Sequence, residues 1–240
     1  MKSIIAWAAL VTAALPTGTP AVAQSPGLVE RLTARASAGN AEANYHLGML
    51  YNNGIGVPQD NRRALELFRA AAAAGDPLGA YKLGCYYAGQ FGVIQPDPAL
   101  ALRYKTIAAR AGYSLAQLEV AIIHHQRGEH REAYAWFEAA ARQGDAQSLY
   151  NLSFMSREGQ GTERSLARTH AYFRLSHLAS RGSVSPGAQR QLDEIWAQLG
   201  PAERAEAERI AASWITGPTP MTLLARLGLE RAEQVSRGNP

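Results

Sequence analysis

A single cysteine, Cys85, stands in the 240 residues of the chain, so no internal disulfide is possible. It falls on an apolar helical segment and reads as a small buried hydrophobe. Charge is sparse as well: 18% of residues are charged and the net charge is +4. The basic excess, mostly arginine, is spread along helix faces and forms no stripe, which excludes a nucleic-acid reading. No apolar run reaches the roughly 20 residues of a membrane span. The one marked run, Ile4 to Leu15, follows Lys2 and precedes Ala21-Val22-Ala23. That order predicts a cleavable signal peptide over residues 1–23, cut between Ala23 and Gln24. The mature protein is then periplasmic or secreted, with no membrane span. The residue directly after the cleavage site is Gln24 and not a cysteine, so a lipoprotein anchor is not expected.

Catalytic signatures are missing too. No serine lies in a G-x-S-x-G elbow. Gly54-x-Gly56 and Gly159-x-Gly161 lack the Lys-Ser/Thr and the preceding strand of a phosphate loop. His124, His125 and His130 invite a metal reading. Two of them are adjacent and face different sides of a helix, and Gly128 interrupts the run, so no spacing puts three ligands on one face. The expectation is no catalytic residue, no metal and no cofactor.

What the chain does have is a repeated unit. Gly39 to Gly75 reads as a helix, a glycine-containing loop and a second helix. Ala43, Leu47, Met49 and Tyr51 mark one apolar face, and Ala64, Leu65, Leu67, Phe68, Ala71 and Ala72 mark the other, at helical steps of three and four. Two helices of about 12 residues are marginal alone, so the unit needs neighbours. The same spacing of 11 residues recurs from Ala64 to Gly75, Ala101 to Gly112, Ala133 to Gly144 and Ala171 to Gly182. The closing glycines Gly39, Gly75, Gly112, Gly144 and Gly182 are 36, 37, 32 and 38 residues apart, and internal repeats of this length signal a helical solenoid. Small residues (Gly48, Gly84, Ala121, Ser153) recur where paired helices must approach closely.

The first unit carries Ala41, Tyr45, Leu47, Gly48, Tyr51, Gly54, Gly56, Val57, Asp60, Ala64, Ala71, Ala72 and Gly75. In that order the unit resembles the Sel-1-like repeat family, relatives of the tetratricopeptide repeats, and the leader suggests the exported bacterial type. The second unit keeps Tyr81, Leu83, Gly84, Tyr87, Gly92, Val93 and Asp97; the third lacks the glycine loop; the fourth keeps Gly159 and Gly161 with two extra residues before Ala171. The resemblance covers about residues 28–182. It implies protein–protein scaffolding and brings no catalytic residues. Some exported members have a disulfide in each repeat; with one cysteine this chain departs from them.

The expected fold is an all-α right-handed α-solenoid of about four helical hairpins. Residues 24–182 form it, opened by a half-repeat cap whose Leu28 and Leu32 cover the first unit. After Gly182 the period breaks. Leu192, Ile195, Trp196 and Leu199, then Ala205, Ile210, Ala211 and Trp214, predict a capping helical pair over 183–216. The tail, 217–240, either stays flexible or docks as a short helix through Met221, Leu223, Leu224, Leu227 and Leu229.

In such solenoids the first helix of each repeat lines the concave face. One ladder there is Tyr45, Tyr81, Leu118 and Tyr150; the next is Met49, Cys85, Ile122 and Phe154; a polar ladder is Asn52, Ala88, His125 and Arg157. The apolar rungs read either as core between repeats or as a groove for a partner helix or peptide. The favoured function is an exported, non-catalytic adaptor or regulator, monomeric, that binds an envelope protein or peptide on this face. The alternatives are a cell-wall-associated enzyme or ligand binder, for which only His125, Arg157 and Glu158 suggest a polar site, and a self-assembling structural module.

Overall fold

A computed structural model describes residues 27–238. The signal peptide expected over 1–23 lies outside the described residues. Among these are thirteen helices and no strand. In order they are α1 (Leu28–Ser37), α2 (Ala41–Asn53), α3 (Asn61–Ala73), α4 (Pro77–Tyr87), α5 (Pro98–Arg110), α6 (Ser114–Gln126) and α7 (His130–Ala141). Then come α8 (Ala146–Glu158), α9 (Leu166–Arg181), α10 (Pro186–Gln198), α11 (Pro201–Ser213), α12 (Pro220–Leu227) and α13 (Leu229–Arg237).

Local chemistry places most of these boundaries. The side chains of Asn40, Asp60, Asp76, Asp97 and Asp145 accept from backbone N–H groups in the first turn of the helix that follows. Between repeats the chain reverses through Gly39, Gly75, Gly112 and Gly144, whose φ values of 83°, 89°, 94° and 87° are costly for a residue with a Cβ. The hairpins are α2–α3, α4–α5, α6–α7 and α8–α9, and each packs on the next through its second helix. The result is an all-α repeat solenoid. Its core runs continuously between the repeats, from Leu32, Leu47 and Leu50 to Phe68 and Tyr86, then Val120, and on to Phe137, Leu149 and Leu152.

The fourth repeat keeps a different register from the one its glycine spacing suggests. Ser165 caps α9 and donates its N–H to Ser156 O at 2.9 Å, as Asp60 does to Tyr51 and Asp97 to Tyr87. Thr169, 2% exposed, therefore stands where Ala64 stands in the first repeat, and Ala171 does not. The extra length before Gly182 belongs to α9 itself, which runs for 16 residues.

Beyond the repeats, α10 takes the place of a fifth first helix. Ser185 caps it, and Ala188 and Leu192 bury against Phe173. α11 also lies on α9, with Ile210 and Trp214 packed near Tyr172 and Phe137. The two helices thus lean chiefly on α9, joined to each other by Arg204, which donates to Trp196 O. The tail is two further helices. After Trp214 the chain turns back along the inter-repeat turns, and α13 packs on α1 and α2 at the opposite end of the solenoid.

Candidate partner-binding face

The ladders expected to line the concave face differ in burial from one end of the molecule to the other. Tyr45 and Tyr81 are buried, and so is Cys85, at 2% exposure. Asn52, expected on the polar edge, is also buried and accepts a hydrogen bond from the Tyr86 hydroxyl at 2.9 Å. These four residues are packing between repeats, and none of them belongs to an open groove. Met49, Ile122 and His125 are half-buried. Tyr150, Phe154 and Arg157 are exposed, at 52% and 41% for the two aromatics.

The reason is positional. Each first helix is covered by the hairpin that follows it. Tyr81 and Cys85 of α4 pack against Ala116 and Val120 of α6 and Ala108 of α5. The Tyr81 hydroxyl donates to Glu119 Oε1 at 3.0 Å, and Lys105 Nζ sits 2.8 Å from Glu119 Oε2. Burial drives the Tyr81 hydroxyl and the Cys85 thiol up from their ordinary pKa values, with the Glu119 charge adding to both. Cys85 is thus held as an unreactive thiol. On α8 the following hairpin is replaced by α10, which reaches Phe173 and leaves the α8 face bare. Tyr150 is 6.2 Å from Phe173 between ring centroids and otherwise faces outward. With Phe154 and Arg157 it forms a stripe at helical spacing.

The histidines take up packing roles. His124 Nδ1 pairs with Glu129 Oε2, His125 Nε2 lies 3.0 Å from Gln160 Oε1, and the His125 and His130 rings meet edge to face. They join the short turn of the third repeat to the loop of the fourth. Among the described residues no group of three His, Cys, Asp or Glu side chains is placed to hold a metal ion. No helix among them is long and apolar enough to cross a membrane.

Two polar clusters were not legible from spacing. One is the Lys105–Glu119–Tyr81 set. The other surrounds Gln143, whose Nε2 donates to Gly112 O and Gln117 Oε1, each at 2.8 Å, while its Oε1 accepts from the tail. Neither has a sequence signal, because each joins residues that are far apart along the chain.

The sequence matches the Sel1 repeat over residues 41–76, 77–113, 114–145 and 146–176. No curated protein matches it. Among solved structures it is similar to a Sel1 repeat protein from Oxalobacter formigenes, at 22% identity and a TM-score of 0.62, over 87% of this chain and 89% of that one. It is also similar to a protective antigen present in uropathogenic Escherichia coli strains, described as displaying an SLR fold, at 20% identity and a TM-score of 0.60, over 88% of this chain. The chain spans 44% of the length of that antigen. At these identities the likeness is one of fold.

Proposed function

The chain belongs to the Sel1 repeat family, whose members are in general protein–protein interaction scaffolds, and from that membership we propose that it is an exported, monomeric and non-catalytic adaptor that binds an envelope protein or peptide. The stripe Tyr150, Phe154 and Arg157 on α8 is its contact surface. One observation carries the reading: two aromatic side chains stand 52% and 41% exposed at positions that the earlier repeats keep buried or half-buried. Large aromatics and arginine are the side chains that concentrate binding energy at protein interfaces. Export rests on the leader pattern of residues 1–23.

The test places a photo-crosslinking phenylalanine analogue at Phe154 and, separately, at the exposed Ala73 on α3, in cells that export the protein. Capture of one envelope protein from position 154 alone, lost when Tyr150→Ala is added, supports the reading. Equal capture from both positions, or none from 154, overturns it.

A further inference from the structure

The tail holds the solenoid at two polar stations. At the first, Gly217 N donates to Arg142 O at 3.0 Å, Thr219 Oγ1 to Gly112 O at 2.7 Å, and Thr222 Oγ1 to Gln143 Oε1 at 2.7 Å. Ser114 N donates in turn to Thr222 Oγ1 at 3.0 Å. Every partner lies in or beside the turns that join one repeat to the next. At the second station, on the far end of the molecule, Arg231 grips Glu42 through Nε and Nη2, at 2.6 and 2.9 Å. Arg31 meets Glu233 at 2.9 Å, and Ala232 and Val235 bury against the cluster of Leu28, Leu32 and Leu47.

Between the stations α12 is lightly seated. Met221 and Ala225 touch the cluster around Leu78, while Leu223 and Leu227 point outward, at 50% and 39% exposure. Glycines bound the helices: Gly217, ahead of Pro218, before α12, and Gly228, at φ 52° and ψ −117°, between α12 and α13. A bidentate arginine–carboxylate pair, one further ion pair and a short apolar contact of Leu229, Ala232 and Val235 make a specific grip with less apolar burial than a hairpin has. The hairpins, by contrast, bury large side chains against one another along their whole length.

We propose that residues 217–238 are a releasable clasp, an internal helical ligand whose seat on α1, α2 and the inter-repeat turns accepts the same segment supplied in trans. The seat reads a helix with an arginine opposite Glu42, a carboxylate opposite Arg31 and small apolar residues facing Leu28 and Leu32. Releasing it frees the edge of the solenoid and uncovers the apolar N-terminal end. This inference stands apart from the α8 face and holds or fails without it.

The test uses the full chain and a fluorescent synthetic peptide of residues 217–238. Arg231→Glu loosens the clasp and leaves Glu42 and Arg31 in the seat. Amide exchange in 217–238 is expected to rise at least tenfold in that variant, with α4 to α9 unchanged within twofold. The peptide should bind the variant at least tenfold more tightly than the wild type, and that gain should vanish when Glu42→Gln is added. Equal peptide binding to wild type and variant, or unchanged exchange in the tail, overturns the proposal. So does a rise in exchange throughout the chain, which would make the tail an integral part of the core.

Discussion

Asp76 is pulled in two directions. It caps α4 by accepting from Gly79 N, yet burial pushes its carboxyl up to about 6, with the neighbouring Glu42 charge adding to the rise. The folded state therefore holds the proton more tightly than the unfolded chain does. The stability this group contributes is full below about pH 4, falls as pH rises toward 6, and is gone above it. A shift of this size corresponds to about 3 kcal/mol. Asp76→Asn keeps the capping acceptor and removes the titration, so the variant should lose that slope and be more stable than wild type at pH 7. Urea unfolding across pH 4 to 7.5 checks it. Glu42 does not confuse the measurement: burial alone would raise it, but His46 and Arg231 hold it at about 2, so its opposite contribution is lost only on acidification below its ordinary 4.5. Glycines at this scale act through space. A Cβ on Gly48 would lie 2.8 Å from the Phe68 ring, whereas one on Gly187 meets nothing nearer than a flexible arginine tip at 3.9 Å. Gly48→Ala is expected to cost about 1–2 kcal/mol through overpacking, net of its helix preference, and Gly187→Ala to gain about 0.5–1. Thermal melts of the two variants read the sign directly.

Between elements, the junction of α4, α5 and α6 rests on a partly buried ion pair: Lys105 is 5% exposed, and the Glu119 side chain 25%. Lys105→Met leaves the half-buried Glu119 carboxylate with the Tyr81 hydroxyl and partial access to water, at a cost of about 2 kcal/mol, below that of a fully buried stranded charge. Adding Glu119→Gln should recover at least half of the loss in a denaturant-based double-mutant cycle. The ladders make a second prediction at this scale. Cys85 and Phe154 occupy equivalent positions on α4 and α8, yet one is 2% and the other 41% exposed. Cys85→Glu should unfold the second and third repeats, a loss above about 4 kcal/mol, while Phe154→Glu should stay within about 1 kcal/mol of wild type. Helical content and melting temperature distinguish the two. From the sequence these positions are one rung type, because periodicity assigns a residue to a face but not to a neighbour. Tyr45, Asn52, Tyr81 and Cys85 became packing because another hairpin lies over them; Tyr150, Phe154 and Arg157 stayed open because α10 leans toward α9.

At the scale of the whole molecule, a helical solenoid is held together only between nearest neighbours, and this one adds a contact between its ends. Arg231 and Glu42 are 189 residues apart in sequence. Ion pairs near the surface weaken in salt, whereas apolar packing does not. Raising sodium chloride from 0.05 to about 1 M, where the screening length falls to about 3 Å, should therefore speed amide exchange in 217–238 selectively, severalfold relative to α4 through α9. A uniform change would place the tail within the same cooperative unit as the repeats. The helical class, the four repeated hairpins, the capping acceptors and the reversing glycines are all legible in the linear order of the residues. Each of these is set by residues within a few positions of one another, where spacing is a sufficient record of geometry. The register of the fourth repeat, the covering of particular rungs and the course of the tail emerge from long-range packing. Those depend on which surface another part of the chain happens to occupy, and contacts across such distances leave no periodic trace in the residues that make them.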